Sequence, residues 1–144
     1  MRLIYTVLCT DILTDRETGS TSYIKTIDKL VVSKLPVVIP SLGISTYWDV
    51  GDRLGKKIYL RFYLYNPDGK SILSSVIPPF TMSNDRQRFN LQIGGLKIES
   101  AGDYKFTVES KLRKNSKWEI QNDFILNVRI DSSIEHSETN IPKS

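Results

Sequence analysis

The chain has 144 residues and a mass of 16.5 kDa, with 20 Lys and Arg against 16 Asp and Glu, a formal net charge of +4. That length suits one domain of roughly 100–200 residues, able to bury about two-thirds of its unfolded surface without staples. One cysteine, Cys9, excludes an internal disulfide, and one histidine, His136, leaves too few soft ligands for a zinc cluster of about four. Nucleophilic catalysis through a histidine base would have to use His136, which sits in a polar end segment away from every candidate strand.

In chain order, the first element is a strand over Arg2–Ile12. Its opening, MRLIYTVLCT, mimics an export signal. The apolar run Leu3–Leu8 is shorter than the ~7–15 residues such a signal needs, and Leu8 precedes Cys9 where cleavage wants a small residue. A buried strand is the better reading. No apolar run approaches the ~20 residues of a membrane span. The expected compartment is the cytoplasm, with Cys9 a reduced, buried thiol.

A turn at Thr18-Gly19-Ser20 leads to a second strand over Ser22–Val32. Pro36 and Pro40 bracket Val37-Val38-Ile39 and limit it to an edge or a connection. Leu42, Ile44, Thr46, Trp48 and Val50 then alternate with polar residues, the period-two signature of a half-buried strand. In Lys57–Asn66, Ile58, Leu60, Phe62 and Leu64 share one face and Tyr59, Arg61, Tyr63 and Tyr65 the other. Asn66-Pro67-Asp68-Gly69 puts Pro second in a type I turn and Gly at a left-handed position, a bulged hairpin. A short strand near Ser71–Ile77 ends at Pro78-Pro79. Phe89, Leu91 and Ile93 mark another strand, with Gly94-Gly95 a bulge or sharp bend. Tyr104, Phe106, Val108 and Leu112 share one face of Asp103–Arg113, and Phe124, Leu126, Val128 and Ile130 one face of Asp123–Asp131. A hairpin turn at Asn115-Ser116 joins the last two.

Seven or eight short strands with regular turn signals predict an all-β fold, a single antiparallel β-sandwich over residues 1–130. Residues 131–144 read as a flexible polar tail. The stretch Gly102-Asp103-Tyr104-Lys105-Phe106 resembles the tyrosine corner of immunoglobulin-like sandwiches. Tyr104 matches the corner tyrosine and Gly102 the glycine two before it. Phe106 stands where the disulfide cysteine would be. The resemblance implies an immunoglobulin-like sandwich whose core an aromatic fills in place of a disulfide. More broadly, three features resemble a group of small bacterial β-sandwich proteins of unknown function, some from phages or mobile elements. These are Cys9-Thr10-Asp11 closing the first strand, Leu35-Pro36 running on to Pro40-Ser41-Leu42, and the Asn66–Gly69 turn followed by Gly102–Phe106. That resemblance brings no activity with it.

Two clusters are candidate binding residues. The stripe Tyr59, Arg61, Tyr63 and Tyr65 has the side chains that stack sugars or bases. The more ordinary reading is that a loop or subunit covers it, and Tyr is a good strand former. A protein interface ranks above a ligand site here, because Tyr and Arg are enriched in interface cores. The second cluster is Lys111, Arg113, Lys114, Lys117 and Trp118 around the Asn115-Ser116 turn. It would suit a nucleic-acid backbone or anionic surface, but Glu109 and Glu119 dilute it, and charged hairpin ends commonly just protect a sheet edge. Asp11, Asp15, Asp49, Asp52, Asp68 and Asp85 are better read as turn formers than as a calcium shell of about six oxygens. No metal or cofactor is expected, and Gly94-Gly95 lacks the lysine of a phosphate loop.

The leading expectation is therefore a non-enzymatic module that binds another protein. A carbohydrate- or anionic-polymer-binding module is the alternative, and a carboxylate enzyme a minor third. Residues 51–130 carry 14 bases against eight acids. If Arg53–Arg61, Arg86–Arg88 and Lys111–Lys117 converge, the partner has an acidic surface. A homo-oligomer fits the same stripe.

Overall fold

The computed structural model describes residues 1–133. The chain forms an all-β sandwich of two packed sheets. The strands are β1 (Arg2–Thr14), β2 (Thr21–Thr26), β3 (Lys29–Val32), β4 (Val37–Asp49), β5 (Lys57–Tyr65), β6 (Ser71–Val76), β7 (Phe80–Thr81), β8 (Arg86–Ile98), β9 (Gly102–Lys111) and β10 (Glu119–Ile130). A single 3-10 turn, Gly51–Arg53, separates β4 from β5. One sheet has the order β2-β1-β4-β8. The other runs β3-β10-β9-β5-β6, with β7 also pairing β5.

Among the described residues, ten strands replace the expected seven or eight. The segment Ser22–Val32, expected as one strand, is two: β2 pairs β1 in one sheet, and β3 crosses to pair β10 in the other. Ile27 and Asp28 make the crossing, and Ile27 N–H still donates to Leu8 O at 2.8 Å. The β3–β10 pair is parallel, which corrects the expectation of a wholly antiparallel sandwich. The chain passes from one sheet edge to the other here, and such a crossover delivers a strand in parallel sense as a hairpin cannot. The two-residue β7 is the other addition.

Alternation sets the core. Ile58, Leu60, Phe62 and Leu64 of β5 are fully buried, as are Phe106 and Val108 of β9 and Ile44 and Trp48 of β4. Phe62 links the sheets, its ring 6.1 Å from Phe89 of the opposite sheet and 6.2 Å from Phe106 beside it. Trp48 satisfies its indole N–H on Thr46 Oγ1 at 2.8 Å, so this buried polar group is paired. Two residues placed on core faces lie outside. Leu112 is exposed because β9 ends at Lys111 and the chain turns off into the hairpin; Ile130 is exposed at the tip of β10, beyond its last pair with β9.

The turns follow their chemistry. Asn66 Oδ1 accepts from Asp68 N–H and Lys70 N–H, Gly69 takes φ +84°, and the β5–β6 register slips at Leu64/Tyr65. Val37–Ile39 pairs only β8 and has no β1 neighbour, so it is an edge within β4, as its prolines require. Gly94-Gly95 adds no extra residue to the β4–β8 register. Instead Gly95 adopts φ +68°. Tyr104 is buried and its hydroxyl donates to Ser100 O at 2.8 Å. The expected tail, with His136, lies from residue 134 on outside the described residues.

Candidate functional site

The outward side of β5 presents Tyr59, Arg61, Tyr63 and Tyr65, each half-buried. β9 lies beside it, pairing Tyr59 with Lys111, Arg61 with Glu109 and Tyr63 with Thr107. That register fixes the geometry of the face. Arg61 Nε and Nη2 donate to Glu109 Oε2 and Oε1 at 3.1 and 3.0 Å, a bidentate pair on one plane. The two side chains are 24% and 12% exposed, so the fork is largely shielded from water.

The two clusters that the sequence separates are one in space. Trp118, at the foot of the β9–β10 hairpin, stacks over Arg61 with the guanidinium carbon 4.3 Å from its ring centroid. The same guanidinium is 5.1 Å from the Tyr63 ring. Lys111 Nζ is 4.7 Å from the Trp118 ring and 5.4 Å from Tyr59. Tyr63 and Tyr65 stack at 5.7 Å. Cation–aromatic contacts of this kind contribute about 0.5–1 kcal/mol each when exposed, and more when desolvated. The result is a pre-ordered aromatic–cation lattice. Exposed apolar side chains flank it: Val76 is paired with Arg61, and Ile120 with Glu109.

Arg113, Lys114 and Lys117 are exposed on the hairpin. Ser116 holds its turn by accepting from Arg113 N–H at Oγ and donating to Arg113 O. Lys111, Arg113 and Lys117 edge a concavity of about 460 Å³ with Glu119, leaving it net positive. Arg53 braces the hairpin by donating to Leu112 O and Lys57 O. The expected convergence of cations is therefore partial. Arg53, Arg61 and the hairpin gather on the six-stranded sheet, whereas Arg86 and Arg88 belong to β8 of the other.

Arg88 centres a group that the sequence reading missed. On the four-stranded sheet it donates to Tyr5 OH at 2.8 Å and Thr21 Oγ1 at 2.9 Å, and sits 4.8 Å over the Tyr47 ring. Tyr23 OH meets Ser45 Oγ at 2.9 Å, and Ser45 donates to Asn90 at 2.6 Å. Burial opposes ionisation of Tyr5, but the Arg88 and Tyr23 hydrogen bonds and the Arg88 charge outweigh it, and its pKa falls below the ordinary phenol value. Burial, helped by Tyr5, pushes Tyr23 up. These residues come from four strands, so only the sheet order brings them together.

Asp15 acts as a turn residue and Asp49 as an ion-pairing one. Asp15 Oδ1 accepts from Glu17 and Thr18 N–H, and Asp49 lies within 3.9 Å of Arg2 and 3.8 Å of Arg86. Burial, then the nearby Asp11 charge, raises the Cys9 thiol pKa, and the thiol faces Gly43 O at 3.7 Å. No helix among the described residues is long and apolar enough to cross a membrane.

Fold and face together define an all-β sandwich with an aromatic–cation surface on one sheet. The chain belongs to a family of unknown function (DUF6941), which it matches over residues 4–121. No curated protein matches it. Among solved structures it is similar to the C-terminal domain of wzt, at 10% identity and a TM-score of 0.47, over 88% of this chain and 72% of that one.

Proposed function

We propose that the protein is a non-enzymatic recognition module that docks another protein on the outer face of its six-stranded sheet. The observation that supports this best is Trp118 over Arg61, which joins the tyrosine stripe and the basic hairpin into one patch. Trp, Tyr and Arg are the residues that most often dominate interface energetics. Here Glu109 already holds the Arg61 fork, so little ordering entropy is left to lose on binding. Exposed Val76 and Ile120 supply an apolar flank, and the net-positive hairpin concavity favours a partner with acidic side chains beside an apolar centre. The Tyr104–Ser100 bond supports reading the sandwich as immunoglobulin-like, since a corner tyrosine bonds back to upstream backbone in this way. The reading keeps the cytoplasm as the compartment, one suited to a chain held by its core with a single buried thiol.

The test is a photo-crosslinking residue at Val76, with a control at Ile24 on β2 of the other sheet, both in native host cells. One discrete heavier adduct from Val76 alone, lost in Trp118→Ala with unchanged circular dichroism, is the expected result. No adduct, equal adducts from both positions, or survival of the adduct in Trp118→Ala overturns the reading. An adduct of twice the chain mass replaces the foreign partner with a second copy.

A further inference from the structure

On the same face, towards the β5–β6 turn, a concavity of about 440 Å³ is walled by Tyr65, Pro67 and Ile120 and edged by Asp103, Lys105 and Glu109, with Thr107 among its lining residues. Thr107 lies on the outward side of β9, between Phe106 and Val108 in the core. Only 3% of it is exposed, and its hydroxyl has no hydrogen-bond partner among the described residues. Its cross-strand neighbours leave it unmatched: it pairs with Tyr63 and Asp123, and Asp123 turns instead to Lys105 Nζ at 3.3 Å. Buried hydroxyls are nearly always bonded. One left unpaired just beneath the wall of a concavity is a group that a ligand can complete. Rotation of about 120° to another staggered well moves the hydroxyl to a different position on Cβ, the route by which the oxygen reaches a ligand.

Two of the three carboxylates around it are already paired with cations. Arg61 holds Glu109, Asp123 holds Lys105, and Asp103 Oδ1 accepts from Asn127 at 2.7 Å. An anionic ligand gains little there, because both cations are engaged and Asp103 repels it. A neutral ring with hydroxyls on its edge and C–H groups on its face gains at both: its face covers Tyr65, Pro67 and Ile120, while its hydroxyls meet Thr107, the second Asp103 oxygen and the Lys105 ammonium. Volumes of this order are typical of small-molecule sites. We propose that this concavity binds a neutral pyranose unit of a saccharide. The site shares Tyr65 and Ile120 with the docking face, but the inference does not depend on a protein partner.

The experiment is an NMR titration of the full chain with the methyl glycosides of glucose, galactose, mannose, N-acetylglucosamine and rhamnose. At least one is expected to shift amides of residues 65–69 and 103–109. Thr107→Val and Tyr65→Ala are each expected to weaken that binding roughly tenfold, the scale of one lost contact. Thr107→Val keeps the shape of the side chain and deletes an unpartnered hydroxyl, so its thermal midpoint stays equal or rises. Trp118→Ala, which removes the protein adduct, leaves the glycoside shifts in place. The proposal is overturned if no glycoside shifts these amides, if binding survives Thr107→Val undiminished, or if Thr107→Val lowers the midpoint, since the hydroxyl is then bonded within the fold.

Discussion

Tyr104 shows how much one side chain fixes. It is 1% exposed, and its hydroxyl spans four residues back to Ser100 O, tying the start of β9 to the chain that leaves β8. Tyr104→Phe keeps the ring and strands the carbonyl, so it is expected to cost about 1 kcal/mol in urea denaturation with an unchanged slope. A change within error would mean that water serves Ser100 O equally well. At this scale the sequence is highly legible. The inward residues of β5 and β9 follow from alternation alone, because side chains on a strand have a period of two. What alternation leaves open is which outward residues meet. Arg61 finds Glu109 and Trp118 only because β9 lies beside β5, and Thr107 loses its partner for the same reason.

Elements are delimited by their turn residues, and these too can be read ahead. The Asn66–Gly69 turn and the Ser116 turn have the bonds their residue types predict. Gly102 adds a constraint that no local pattern reveals. It takes φ +127°, and a Cβ there would lie 2.9 Å from Pro67 Cγ in the β5–β6 turn. Gly102→Ala is therefore expected to destabilise by about 1–3 kcal/mol, by backbone strain and by displacing Pro67. Because Pro67 walls the concavity beside Thr107, the same change should broaden or shift the amide signals of residues 66–70. A stable Gly102→Ala variant with unmoved turn signals would show that Pro67 yields freely. The split of Ser22–Val32 into β2 and β3 is the counter-example at this scale. Both halves alternate acceptably, and nothing local marks Ile27 and Asp28 as the point where the chain changes sheets.

Sheet order belongs to the whole molecule, and it is where local pattern stops. Turns identify neighbours joined by hairpins, such as β1–β2, β5–β6 and β9–β10, but not the long-range pairs β1–β4, β4–β8 and β5–β9. These central pairs run seven to twelve residues, counting register partners, and enclose the buried cluster from both sides. By contrast β3 pairs through four residues, on one side only and in parallel, and β7 through two. Parallel ladders are slightly weaker per residue, and short edge segments open without disturbing the core. Amide exchange should therefore proceed first at Lys29–Val32 and Phe80–Thr81, then in β2 and β6, and last in β4, β5 and β9. Mass-resolved exchange at neutral pH checks the ranking. Protection of β3 equal to that of β9 would contradict it, because the crossover strand would then open only with the whole sandwich. The ranking also bears on recognition. Tyr59, Arg61, Tyr63 and Tyr65 ride on β5, flanked by β6 and β9. If β5 exchanges last, the aromatic–cation lattice is held rigid by the slowest-opening part of the fold, and a partner meets a surface already in its binding geometry.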